Sequence, residues 1–111
     1  MNEVAKIKEI NNISDFNSLR DSDVLMVLFS ITTSSTRCEM SQAFWNLAED
    51  FSCNSIVFAE CDVEEADEVC EAVDVPAYPS ILVYKKGVRS ECYVGYRPEN
   101  LMSFVTRNIF T

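Results

Sequence analysis

The sequence predicts an α/β domain in which a mixed five-stranded sheet is covered by helices on both faces. Val24–Phe29 is a continuous apolar run, typical of a strand buried on both faces, and Ile56–Val63 is consistent with a second buried strand. Each precedes a segment with helical periodicity, and strand–helix–strand connections make neighbouring strands parallel. A turn at Lys86-Gly87 between two further strand patterns predicts an antiparallel hairpin. The predicted order is β-α-β-α-β-α-β-β-α.

The first half of the chain supplies an edge strand, a short helix, the central strand and a long helix. Val4–Ile10 mixes β-branched and charged residues as an exposed edge strand does. Ser14 is the expected N-cap of a helix over Asp15–Arg20, and Val24–Phe29 follows as the central strand. The apolar stripe of the long helix recurs at helical spacing at Met40, Ala43, Phe44, Leu47 and Phe51.

The second half begins with the strand Ile56–Val63 and a helix whose apolar stripe is Ala66, Val69, Cys70 and Val73. Val75–Ser80 contains two prolines and cannot be helical, so it leads into the hairpin strands Ile81–Tyr84 and Arg89–Val94. Pro98 marks the start of a final helix. That helix packs through Leu101, Phe104 and Val105.

Chain length and net charge limit the number of domains and the classes of partner that we expect. A chain of 111 residues with 48% hydrophobic content suits one globular domain, residues 1–111. Its net charge of −9 would repel phosphate backbones and anionic lipids, so neither nucleic acid nor membrane is an expected partner. The N-terminus has no apolar core of signal-peptide length, and no run reaches the ~20 apolar residues of a membrane span. We therefore expect a cytoplasmic protein.

Cysteine usage indicates reduced thiols. The five cysteines are odd in number and include no C-x-x-C pair, which argues against a disulfide framework. The chain has no histidine, so Ser-His and Cys-His catalysis are excluded, and neither a metal site nor a cofactor is expected. Cys61 and Cys70 fall on apolar faces and are expected to be buried, whereas Cys53 and Cys92 are expected to be exposed.

Three local motifs add a family resemblance. Phe58–Val63 ends in an apolar-Asp-Val pattern, Val75–Ser80 matches a V-x-x-x-P-T loop with serine for threonine, and Lys85-Lys86-Gly87 is followed by Gly95. In these motifs and in its element order, the chain resembles the thioredoxin family over essentially its whole length. The resemblance implies the thioredoxin fold, and it implies that Pro79 is the family's cis-proline beside the active-site corner.

The active-site loop departs from the family pattern. Redox-active members carry W-C-G-P-C or W-C-G-H-C where this chain has Thr33–Cys38. Counting back from the downstream motifs places Ser35 and Cys38 at the two cysteine positions. Counting forward from the central strand places Thr33 or Ser34 at the first position and Thr36 or Arg37 at the second. The first cysteine is missing in every register, as is the preceding tryptophan, and an apolar residue, Val27, Leu28 or Phe29, replaces the family's buried acid. These losses predict a degenerate active site.

Two functions follow from the resemblance. The first is a protein-binding or regulatory module without ordinary disulfide reductase activity, which would hold a protein or peptide partner in the cis-proline groove. The residues that would line this groove are Ser34, Ser35, Thr36, Arg37, Tyr78 and Pro79. The alternative is a single-thiol oxidoreductase or glutaredoxin-like enzyme acting through Cys38, because Cys38–Ser41 forms a C-x-x-S motif. A third interpretation makes Cys38 a buried remnant of the second cysteine position.

Overall fold

The computed structural model describes residues 7–31, 35–95 and 98–110, apart from the side chains of residues 35–39 and 98. The described residues form five strands and four α-helices. Their bounds are β1 Ile7–Glu9, α1 Ile13–Arg20, β2 Val24–Ser30, α2 Ser35–Phe51, β3 Ile56–Asp62, α3 Asp67–Val73, β4 Ser80–Lys85, β5 Val88–Val94 and α4 Leu101–Ile109, with a 3-10 turn at Pro98–Asn100. The last three residues of the predicted first strand, Ile7–Glu9 and Ile10, are described, whereas Val4–Lys6 lie outside the described residues.

The strands form one mixed sheet in the order β1-β3-β2-β4-β5. β1 and β2 both pair parallel to β3, whereas β4 runs antiparallel to β2 and to β5. β2 is therefore the central strand, and its residues Leu25–Ser30 are buried. This topology confirms the predicted mixed five-stranded sheet.

Alternation along β2 divides the core into two clusters, one on each face of the sheet. Leu25, Val27 and Phe29 join a cluster with residues of α1 and α3, including Phe16 and Val69. Residues at even positions face a second cluster with α2 and α4. That cluster includes Met26, Leu28, Met40, Phe44, Phe58, Leu101 and Phe104. Both faces of β2 are thus covered, which explains why its sequence is apolar without interruption.

The N-cap of α1 differs from the expectation. Asn12, not Ser14, is the capping residue: its backbone is extended, with φ −159°, and its side-chain oxygen accepts a hydrogen bond from the Asp15 backbone N–H at 2.8 Å. Ser14 falls inside the first turn because the helix begins at Ile13. Asparagine and serine are both good capping residues, and the chain path out of β1 decides between them.

The β4–β5 turn has the predicted form. Lys86 and Gly87 both have positive φ, 53° and 87°. Two consecutive left-handed residues make the type I′ turn, whose twist matches that of the flanking strands. The hairpin places β5 at one edge of the sheet and directs the start of β4 toward the end of β2.

Candidate functional site

Strand register brings the Pro79 loop to the corner between β2 and α2. Phe29 in β2 pairs with Ser80 in β4. Ser30 follows Phe29 and leads toward α2, and Pro79 immediately precedes Ser80, so the two connections meet at the same edge of the sheet. The end of β3 joins them there, since the Val63 backbone N–H donates a hydrogen bond to the Ser30 carbonyl oxygen at 2.9 Å.

The Pro79 loop presents one aromatic side chain to solvent. The Tyr78–Pro79 peptide bond is cis. Pro79 is buried, and its carbonyl oxygen accepts a hydrogen bond from the Gly95 backbone N–H at 3.1 Å. Tyr78 in contrast keeps 38% of its surface exposed. An exposed ring beside a fixed backbone turn provides an apolar contact surface at the corner.

On the α2 side of the corner, the structure describes the backbone of the first helical turn. α2 begins at Ser35, so Ser35, Thr36, Arg37 and Cys38 form its first turn. Their side chains lie outside the described residues, as does the whole of Ser34. The binding role of residues 34–37 and the reactivity of Cys38 therefore stay predictions.

The strand beneath the corner offers no carboxyl group. β2 has the sequence VLMVLFS, and Val27, Leu28 and Phe29 are each 0% exposed. A buried acid near a thiol is a proton acceptor, and hydrocarbon side chains cannot take that role. These three side chains therefore contribute to core packing and not to proton transfer.

Two core cysteines, Cys61 and Cys70, lie on the α3 side of the sheet near Tyr78. Cys70 lines the same surface cavity as Tyr78, and Cys61 belongs to the same core cluster as Cys70. Cys61 and Cys70 are buried, as predicted, at 1% and 4% exposure. Burial, and secondarily the neighbouring Cys70, raise the pKa of Cys61 to about 12. Burial also raises the pKa of Cys70.

A surface cavity of about 340 Å³ lies on this side of the molecule. Cys70 and Tyr78 line it together with acidic residues of α3 and its C-terminal end, including Asp67 and Asp74. Sequence reasoning placed Cys61 and Cys70 separately in the core and did not predict that they share one core cluster. Their spacing of nine residues, across the turn between β3 and α3, carries no local signal for it.

The two other described thiols are exposed, as predicted. Side-chain and backbone hydrogen bonds with Ser55 lower the pKa of Cys53, and the Cys53 Sγ to Ser55 Oγ distance is 3.5 Å. Within residues 7–31, 35–95 and 98–110, no group of three or more acidic, histidine or cysteine side chains is arranged to hold a metal ion. No helix in this described part of the chain is long and apolar enough to cross a membrane.

Trp45, which lies on α2, is another exposed aromatic residue. It is 38% exposed, the same fraction as Tyr78, and its indole N–H donates a hydrogen bond to Glu60 Oε2 at 2.8 Å. Trp45 lines a cavity of about 490 Å³ with residues of β1 and β3, whereas Tyr78 lines the cavity beside α3. Trp45 therefore serves as a matched control for substitutions of Tyr78.

Comparison with known proteins gives consistent results. The family model described as Thioredoxin matches residues 6–107. A thioredoxin from Coprinus comatus is 31% identical over 104 residues, covering 93% of this chain and 98% of that protein. A thioredoxin from Oryctolagus cuniculus is 31% identical over 98 residues, covering 86% of this chain and 91% of the relative.

Solved structures agree in fold. Malassezia sympodialis thioredoxin superposes with a TM-score of 0.82 at 20% identity, covering 91% of this chain and 89% of the other. Plasmodium falciparum thioredoxin gives a TM-score of 0.83 at 20% identity, covering 90% of this chain and 97% of the other. These structures confirm the predicted thioredoxin fold.

Proposed function

Because the chain belongs to the thioredoxin family, we propose that it is a peptide-binding module of that family with a degenerate active site and without ordinary disulfide reductase activity. The observation that carries the proposal is the corner itself. It keeps the exposed Tyr78 ring beside the buried Pro79, while the sequence has one cysteine between Ser30 and Phe51.

The missing thiol removes the usual chemistry. Dithiol reduction begins when a thiolate attacks the substrate disulfide, and it ends when a second thiol releases the mixed disulfide. Cys38 is the single thiol of the β2–α2 connection and of α2, and serine or threonine hydroxyls cannot form a mixed disulfide. The apolar side chains of β2 also supply no proton acceptor beneath the corner.

Peptide binding does not need those cysteines. An extended segment is held by backbone hydrogen bonds at a strand end, and pockets for its side chains supply specificity. In this chain the ring of Tyr78 would pack against such a segment, and residues 34–37 would form the opposite wall. The partner we propose is thus a protein with an extended, accessible segment.

Panning a phage library of random cysteine-free dodecapeptides against the full chain tests this function. Enriched peptides should bind the wild type and lose about tenfold in affinity to Tyr78→Ala, because truncating a central aromatic contact removes more than about 1 kcal/mol. Trp45→Ala is the matched control and should bind them normally, since its ring lies at the other cavity. Failure to enrich any peptide, or equal binding by Tyr78→Ala, would contradict the proposal.

A second candidate function rests on the position of Cys38. It is the fourth residue of α2, and the N-terminal turn of a helix favours a thiolate through its dipole and free N–H groups. Cys38 would then act as the nucleophile of a single-thiol oxidoreductase or glutaredoxin-like enzyme. Iodoacetamide alkylation of Cys38 against pH tests this function: an apparent pKa well below ~8.5 favours it, and a value at or above ~8.5 removes the nucleophile.

A further inference from the structure

We propose that the cavity between β1 and α2, which Trp45 borders, is a docking site for a basic segment of a partner protein, with an arginine side chain of that segment placed against the indole ring. The cavity has a volume of about 490 Å³. None of its described lining residues borders the cavity beside Tyr78, so the two surfaces are separate. This inference does not rest on the proposed peptide-binding function.

One wall of the cavity is aromatic. Trp45 is 38% exposed, and its indole N–H donates a hydrogen bond to Glu60 Oε2 at 2.8 Å. This bond joins α2 to β3 and holds the ring in place, so binding a partner costs little further ordering of the ring. Ile7 of β1 also lines the cavity and packs against the core cluster beneath α2. An exposed tryptophan held beside an aliphatic side chain is typical of a binding hot spot.

Carboxylates surround this aromatic wall. Glu9 and Glu60 are register partners on the parallel strands β1 and β3, and both line the cavity. Register partners leave the sheet on the same face, so two like charges lie side by side. Glu49 borders the cavity from α2. A cationic side chain placed among these three groups would offset the repulsion between them.

A second cavity, of about 230 Å³, continues the acidic surface. Glu9 and Glu60 line it as well, and Asp62 and Glu65 add two further carboxylates. None of the described residues that line either cavity is a lysine or an arginine. The two cavities together, called the acidic groove below, therefore attract a segment that carries more than one basic residue.

A guanidinium group suits the Trp45 end of the acidic groove better than an ammonium group. The planar guanidinium stacks on an aromatic face, and tryptophan is the best aromatic partner for a cation. Its N–H groups also form paired hydrogen bonds with a carboxylate, whereas lysine acts as a point charge. We therefore expect arginine to be preferred over lysine beside Trp45.

The cavity beside Tyr78 is also acidic, but the chain itself supplies a cation there. Arg89 Nη1 donates hydrogen bonds to the Val73 and Asp74 carbonyl oxygens at 2.9 and 3.2 Å. Asp74 lines that cavity, so a guanidinium of the chain lies close to it. Charge complementarity thus favours the acidic groove as the place where an arginine of another protein binds.

An NMR titration of the isotope-labelled full chain tests the proposal. The probe is the peptide acetyl-Gly-Arg-Gly-Arg-Gly amide. Trp45 is the single tryptophan of the sequence, so one indole N–H signal reports on the acidic groove. We expect this signal and the backbone signals of Ile7 and Glu9 to shift until saturation, with an affinity that falls as salt rises. Unchanged signals at millimolar probe, or shifts confined to residues around Tyr78, would overturn the inference.

Two matched controls separate specific binding from general attraction to an acidic protein. A probe with citrulline in place of both arginines has a similar shape and no charge, and it should bind at least about tenfold more weakly. Glu49→Gln should weaken binding of the arginine probe about threefold, as expected for an exposed ion pair. Glu68→Gln makes the same charge change at an exposed position of α3 that borders neither cavity, and it should leave binding unchanged. Equal binding of both probes, or equal affinities of the two variants, would contradict the proposal.

The acidic groove also has to be blocked in the panning experiment, because a random library contains arginine. Panning for the Pro79 corner is therefore carried out with the arginine probe in excess. Trp45→Ala is then a fair control for Tyr78→Ala, since the selected peptides bind away from the acidic groove. A negative result in either experiment leaves the other interpretable.

Discussion

Tyr78 and Cys70 line the same surface cavity of about 340 Å³. The residue before Pro79 therefore lies beside the middle of α3. Burial, together with the neighbouring Cys70, raises the pKa of Tyr78 to about 12. The hydroxyl therefore keeps its proton throughout the physiological pH range.

The first prediction concerns the order in which folded-state thiols react. Cys53 should be alkylated by iodoacetamide well before Cys61 and Cys70 at pH 7.5. Cys53 is exposed and hydrogen bonds with Ser55 lower its pKa, whereas burial raises the pKa of the other two. Peptide mass spectrometry after timed quenching gives the three rates.

Ser55→Ala is the control for this order. It removes the side-chain hydrogen bond that contributes most to the lowered pKa of Cys53, so labelling of Cys53 should slow. The rate at Cys92, on the exposed strand β5, should not change. If Cys70 is labelled as fast as Cys53 in the folded protein, the burial of Cys70 in this structure is contradicted.

The second prediction is a loss of stability at alkaline pH. An ordinary thiol ionises near pH 9, whereas Cys61 in the folded state has a pKa of about 12. Between these values the folded state binds more protons than the unfolded state, so the free energy of unfolding falls as pH rises. Below about pH 8 the contribution is fully present.

Urea unfolding at pH 7.5 and pH 10 measures this effect. Cys61→Val removes the ionisable group and keeps an apolar side chain in β3. Between the two pH values, the free energy of unfolding of the wild type should fall by roughly 1 kcal/mol more than that of this variant. Equal losses in both proteins would mean that Cys61 ionises at an ordinary pH in the folded state.

The third prediction concerns Ser80 at the start of β4. Its hydroxyl is fully buried, and Ser80 Oγ has no hydrogen-bond partner among the residues that the structure describes. Ser80→Ala removes a desolvated polar group and no hydrogen bond, so the free energy of unfolding should stay level or rise by up to about 1 kcal/mol.

Ser22→Ala provides the contrast, because the half-buried Ser22 hydroxyl donates to the Leu19 carbonyl oxygen at 2.8 Å. That substitution should lower the free energy of unfolding by about 1 kcal/mol. Thermal or urea unfolding of the two variants measures both changes in the free energy of unfolding. A larger loss in Ser80→Ala than in Ser22→Ala would show that Ser80 has a stabilising partner.

The sequence predicted the scaffold well because its determinants are local. An unbroken apolar run in β2 requires cover on both faces, and the turn at Lys86-Gly87 requires positive φ that the pair supplies. The predicted N-cap of α1, Ser14, was wrong. Asn12 and Ser14 are both capable of capping, and the chain path out of β1 selects Asn12.

The candidate site was predicted in part, for a physical reason. Periodicity placed Cys61 and Cys70 in the core one at a time, but their position in one shared cluster depends on how α3 packs against β3. The same packing brings Tyr78 and Cys70 to one cavity, and no spacing rule anticipates it. The roles assigned to residues 34–37 and Cys38 came from the family pattern and stay predictions.

The central claim is that the corner lacks ordinary disulfide reductase activity, and insulin reduction tests it most directly. The chain is added to insulin and dithiothreitol, and precipitation of the released insulin B chain is followed by turbidity. We predict a time course equal to that with dithiothreitol alone, for the wild type and for Cys38→Ser. Faster precipitation with the wild type, abolished by Cys38→Ser, would contradict the account.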